Sequence, residues 1–203
     1  MNKLKNILIK NKLNLILLII LILILVFGII ASLNYYPVIS VNNVPISAKK
    51  VNINMRAAIY YFNTYKKLEE DRGLNQNAST SLKELSGEEI KLFVLNQLIE
   101  NELIHQEVKK RIGSNLKDLI DEKINNYLNS EIESAALEIY GLNKNDFKNE
   151  ILIPQAEKDI LAGRLFLENK NIADWLKEQK KQAKVIVFDK KFKWNGENLE
   201  LNK

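Results

Sequence analysis

The stretch VLNQLIENELIHQEVKKRI, residues 94–112, decides the fold. Its apolar positions Val94, Leu98, Ile104 and Val108, extended backwards by Ile90 and Phe93, cover more of a helix circumference than one stripe needs. A helix apolar over so wide an arc must be covered from several sides, so it is predicted to lie at the centre of a bundle. Its start is specified by Ser86-Gly87-Glu88-Glu89, a capping box in which the serine accepts from the third helical amide and Glu89 returns to the serine amide. Gly113-Ser114 closes it.

Downstream, Leu116, Ile120, Ile124, Tyr127, Leu128, Ala135 and Ile139 recur at helical spacing and predict one helix over 115–140, ended by Gly141-Leu142 as a left-handed C-cap. Asn143 caps a fourth helix through Phe147, Ile151, Leu161, Leu165 and Phe166, in which Pro154 predicts a kink at 150–154. A short fifth helix, capped by Asn171 and favoured by Asp174, presents Trp175 and Leu176. The pattern then becomes β: Val185–Phe188 is one strand, Phe192–Trp194 a second, and Asn195-Gly196 a turn before Leu199 and Leu201.

Upstream, residues 71–85 are polar and read as a loop containing the sequon Asn77-Ala78-Ser79. Before it, Ser47 caps a helix ending near Gly73 with the stripe Val51, Met55, Ala58, Phe62, Tyr65. Val38–Val41 is a strand, Asn42-Asn43 a tight turn with positive φ, and Val44-Pro45-Ile46 extended chain. Strands this short are not stable alone, so Val38–Val41 and Val185–Phe188 are expected to pair in one small sheet.

The run from Leu13 to Leu33 carries no charge over 21 residues. As a helix rising about 1.5 Å per residue it would span about 31 Å, the thickness of a hydrocarbon core. Lys3, Lys5, Lys10 and Lys12 precede it, and the first acid in the chain is Glu69. By the positive-inside rule, residues 1–12 are a cytoplasmic basic segment, 13–33 a transmembrane signal anchor in the lipid bilayer of the cell (inner) membrane, and 34–203 an extracytoplasmic domain. The run exceeds the apolar core of a cleaved signal peptide, about 7 to 15 residues, and Ala31-Ser32-Leu33 offers no clean A-x-A site, so the anchor is expected to be retained.

The same lysines explain the charge. They account for four of the 30 basic residues, leaving 26 against 25 acidic ones, so the basic excess is a flank and no nucleic-acid partner is expected. With no cysteine and a single histidine, His105, the chain has no thiolate chemistry and no multi-histidine metal site of its own. Glu102-Leu-Ile-His105 has the Glu-x-x-His spacing of di-iron bundles, but such a site needs the motif twice. His105 is therefore expected between helices or at the surface. No glycine-rich phosphate loop, G-x-S-x-G or H-E-x-x-H occurs, so neither enzyme chemistry nor a cofactor is expected.

One cluster exceeds what packing needs. Around Ala57–Phe62, the residues Met55, Tyr60, Tyr61 and Tyr65 span more of the helix than one core contact can bury. They are the candidate binding residues, with adaptable methionine and tyrosine contacts.

The order of these pieces resembles the SurA amino-terminal chaperone domain family, of the SurA, PrsA and PpiD type. Four stretches carry the resemblance: VISVNNVPISAKKVN at 38–52, with Asn43 where the family commonly has glycine; VLNQLIENELIHQEVKKRI at 94–112; YGLNKNDFKNEI at 140–151; and DWLKEQKKQAKVIVF at 174–188. The resemblance implies a mainly α fold, about five helices with a small sheet from the segments flanking them. It further implies a chaperone binding unfolded or newly translocated polypeptides, with the translocation machinery as a possible partner. Relatives often carry a parvulin prolyl isomerase domain after the fourth helix; the interval between Leu167 and Trp175 is too short for one. The alternative expectation is a structural or adaptor protein binding one folded partner of the cell envelope.

Overall fold

The structure, a computed structural model, describes residues 15, 18–26, 28–71, 85–125 and 130–202. Strand β1 (Pro37–Val41) turns back into β2 (Val44–Ser47) through Asn42 and Asn43, whose φ values of 51° and 69° make the left-handed turn expected of an Asn-Asn pair. Helix α1 (Ala48–Asp71) follows at once, with the Lys50 amide donating to the Ser47 hydroxyl. Helix α2 (Gly87–Ile112) begins with the complete capping box of Ser86 and Glu89. A 3₁₀ turn at Gly113–Asn115 leads into α3 (Leu116–Asn125) and then α4 (Ser130–Tyr140). Helix α5 (Lys144–Phe147) runs through a π-turn (Lys148–Leu152) into α6 (Ile153–Leu167), and α7 (Ile172–Gln182) precedes β3 (Val185–Val187), β4 (Phe192–Trp194) and β5 (Leu199–Leu201).

The architecture is mainly helical with a small sheet. The two ends of the globular part meet as expected: β3 lies antiparallel to β1 with Ile39 opposite Val187 and Val41 opposite Val185, in the order β2-β1-β3. Asn42 fixes the corner, its backbone amide donating to the Lys184 carbonyl and its side-chain oxygen accepting from the Lys184 amide. The last two strands, in contrast, form a separate hairpin, β4-β5. Its Phe192 and Leu199 reach into the same core as Ile39, Val41, Leu95, Leu98 and Ile99.

A second core joins the far half of α2 to α3, α6 and α7 through Ile104, Val108, Ile120, Ile124, Leu161, Leu165 and Trp175. A third, smaller one holds Ala57 of α1, Ala136 of α4, Leu142 and Phe147. Of the helix expected over 115–140, residues 116–125 and 130–140 are helical, with Asn115 in the preceding 3₁₀ turn. Residues 126–129, including Tyr127 and Leu128, lie outside the described residues, and the pieces on either side enter different cores. Ile139, expected inside, is exposed. The interruption expected near Pro154 is the π-turn. Proline has no amide to donate and its ring crowds the carbonyl four residues back, so the preceding turn widens and the Ile153 amide donates to the Lys148 carbonyl.

Among the described residues no helix is long and apolar enough to cross a membrane. The anchor expected over 13–33 includes residues 13, 14, 16, 17 and 27, outside the described residues. In the described parts, 18–26 and 28–32 are helical, and large apolar side chains from Leu18 to Ile30 are exposed. This stretch joins the bundle closely, since the Lys49 amide donates to the Asn34 carbonyl at 2.7 Å and the Ala48 amide to the Tyr36 carbonyl at 2.9 Å. The expected loop at 71–85 falls almost wholly on 72–84, also outside the described residues.

Because β3 completes the sheet and Phe192 and Leu199 fill its core, removing residues 184–203 is expected to destabilise the whole bundle. Phe192→Ala alone is expected to lower stability by about 3–5 kcal/mol. Thermal unfolding followed by circular dichroism checks both; an unchanged melting temperature would contradict the role given to the carboxy-terminal strands.

Candidate functional site

Helices α1 and α2 and the segment 140–158 face one another. Between them lies an open groove of about 620 Å³. Its α1 wall carries Asn54, Ala57, Ala58, Tyr61 and Phe62. Its α2 wall carries Phe93, Asn96, Gln97, Glu100, Asn101 and Ile104, which recur every three or four residues and so share one face. Tyr140, Glu150, Ile151, Pro154, Gln155 and Lys158 form the remainder, so the π-turn is itself part of the wall.

The rim is a connected set of aromatic rings. Tyr61 stacks on Tyr140 with centroids 5.5 Å apart and on Tyr65 at 6.2 Å, and it meets Phe62 edge-on at 5.9 Å. Phe62 in turn meets Phe93 across the α1–α2 divide at 6.1 Å. Phe93, expected in the buried face of α2, is 52% exposed, because at this level the core is closed by Val94 and Leu95 on the opposite side. Burial, with a smaller contribution from Tyr61, raises the Tyr140 hydroxyl above its ordinary pKa.

Of the four expected binding residues, Tyr61 lines the groove and Tyr65 extends its aromatic wall by stacking on Tyr61. Tyr60 turns the other way, onto Gly141, and Met55 packs against the core beneath the sheet. Phe93, Tyr140 and the polar residues of the groove are additions that only the tertiary arrangement supplies.

The polar groups divide into engaged and free. Asn54 donates to the Lys50 carbonyl at 2.9 Å and to Glu150 Oε2 at 2.7 Å, tying α1 to the π-turn. Glu100 is paired with Lys180 of α7, and Gln155 donates to Asp159 at 2.8 Å. Gln97, Asn101 and Lys158 have no side-chain partner among the described residues. No cluster of histidine and acidic side chains able to hold a metal occurs among the described residues.

Beside the groove, α2 and α6 are clamped by a polar pair. His105 Nδ1 lies 2.7 Å from Oε1 of Glu157, whose side chain is only 5% exposed. His105 of the Glu-x-x-His spacing thus meets a carboxylate from another helix. The hydrogen bond to Glu157 raises the His105 pKa above 6.5, against an opposing effect of burial. A raised folded-state value means that the pair contributes fully below the unfolded value and loses its contribution as pH rises through the folded one. Melting temperature is thus expected to fall from slightly acid to slightly alkaline pH, and this component of the fall should vanish in His105→Gln.

Comparison of the chain with protein families, characterised proteins and solved structures gives no match.

Gly141 fixes one end of the aromatic wall. Its φ is +61°, and a Cβ added there would stand 2.8 Å from the Tyr60 ring. Gly141→Ala is expected to lower stability by about 1–2 kcal/mol or more from the left-handed backbone alone. Tyr60→Ala should restore only the part due to the clash; calorimetry on the two single variants and the double variant separates these contributions.

Proposed function

We propose that this protein is a membrane-anchored extracytoplasmic holdase, a chaperone of the SurA amino-terminal type that binds unfolded or newly translocated polypeptides and has no prolyl isomerase activity. The observation that carries this reading is the open groove with its rim of aromatic rings, of which Tyr61, Tyr65 and Phe93 are exposed. Apolar surface of this kind on a small bundle favours association with other apolar surface, and unfolded chains present it in every sequence context. Tyrosine and phenylalanine bury large areas while losing few rotamers, so they accept varied side chains.

The anchoring part of the proposal is supported by the uncharged run 13–33, by the lysines before it and by the exposed apolar side chains of its described portions. The amino terminus would be cytoplasmic and the bundle periplasmic or extracellular. Anchoring would raise the effective concentration of the groove where polypeptides leave the translocation machinery.

The full chain in detergent should suppress the aggregation of two chemically unrelated unfolding clients. Tyr61→Ala and Phe93→Ala should each weaken holding by about 1–2 kcal/mol while changing the melting temperature little, since both rings are already exposed. Binding to one native protein and to no unfolded client would instead support an envelope adaptor. Loss of holding only in variants that also lose stability would remove the groove from the account.

A further inference from the structure

Helix α2 carries four side-chain carboxamides, Asn96, Gln97, Asn101 and Gln106, the first three of which line the groove. Two of them already read the main chain of a strand. Asn96 accepts from the Leu199 amide at 2.7 Å and donates back to the Leu199 carbonyl at 3.4 Å, treating β5 as a neighbouring strand would. Gln106 donates to the Val41 carbonyl of β1 at 3.2 Å, while its own oxygen accepts from Asn42 at 2.9 Å. The other two, Gln97 and Asn101, line the groove and have no partner among the described residues.

We propose that Gln97 and Asn101 are main-chain-reading residues for an extended polypeptide segment lying along α2 in the groove. This inference rests on the holdase reading and adds how a client of any sequence is held. The spacing fits. Residues four apart on a helix present side chains about 5–6 Å apart along the axis, and an extended chain repeats its same-side backbone groups every two residues, about 6.5–7 Å. Two flexible amides absorb the small difference. Each carboxamide offers both a donor and an acceptor, matching the amide and carbonyl of one residue, as Asn96 does for Leu199.

Charge favours the same occupant. Of the ionised groups in the groove, Glu100 is neutralised by Lys180, and Glu150, engaged by Asn54, is balanced by Lys158 on the same wall. A site with balanced charge and vacant carboxamides suits an uncharged peptide backbone and gives a polyanion little to bind. Alternate side chains of the segment would point towards Tyr61, Phe93 and Tyr140, so main-chain contacts would provide tolerance and the rings affinity.

The test uses the full chain in detergent and a fluorescent peptide of alternating phenylalanine and threonine, with its backbone amides N-methylated one at a time. Binding is read by anisotropy. N-methylation at positions of one parity should weaken binding about three- to tenfold each, the effect of one lost hydrogen bond, and the other parity should be tolerated. In Gln97→Met/Asn101→Leu the parity effect should disappear, with weaker binding of the unmodified peptide and an unchanged melting temperature. A parity effect that persists in the double variant, or none in the parent, overturns the assignment of Gln97 and Asn101 and leaves the holdase reading standing. Failure of the parent to bind any form of the peptide or to protect unfolded clients overturns both.

Discussion

Burial of α2 is the constraint on which the rest of the molecule depends. Leu95, Leu98 and Ile99 on one part of its length and Leu103, Ile104 and Val108 on the next leave no side of the helix that could face water over its whole extent. No single partner can cover such an arc, because a packed helix or sheet covers only one stripe of its neighbour. The chain answers with two covers in series: the sheet with the start of α1 and the β4-β5 hairpin around the first half, and α3, α6 and α7 around the second. The carboxy-terminal strands, which close the first cover, are therefore part of the bundle's stability although they lie farthest from α2 in sequence.

The groove follows from the same constraint. Both covers leave the face bearing Phe93, Gln97 and Asn101 open, and α1, held at its start by β2 and along its middle by α4, lines the groove opposite it. What remains is a cleft whose unpartnered carboxamides, Gln97 and Asn101, belong to α2 and whose rings come from three segments. Its walls are braced by Asn54 with Glu150, which ties α1 to the π-turn, and by His105 with Glu157, which ties α2 to α6.

Much of the architecture was legible because it is written in local chemistry. The capping box at Ser86, the asparagine caps at 143 and 171, the paired asparagines of the β1–β2 turn and the glycine at 141 each specify a backbone event within a few residues. The pairing of β1 with β3 was also within reach, since neither strand is viable alone. The two cores served by 116–125 and 130–140 were not, because both pieces have acceptable helical periodicity and only the tertiary packing reveals different buried faces. The site was half legible. Tyr61 stood out as surplus aromatic surface, but Phe93 fits the core stripe, and Gln97 and Asn101 look like any solvated helix positions. Glu157 gives no signal at all, since a glutamate within a helix reads as surface until His105 is seen opposite it.

The π-turn before Pro154 separates the length of a helix from its angular phase. A regular α-helix turns about 100° per residue, so the faces it shows at two distant points are locked together by the count between them. Here Phe147 must meet Ala57 and Ala136 in one core, while Ala156, Leu161 and Leu165 must meet Ile104 and Val108 in another. The wider turn lets the two requirements be met independently, as a slipped tooth resets one gear against the next. Rewinding Lys148–Leu152 as regular α-helix would rotate everything beyond it by roughly one residue's worth of arc. Lys158, now in the groove, would swing with Glu157 away from its partner, so one proline sets both the packing of the second core and the chemistry of the cleft.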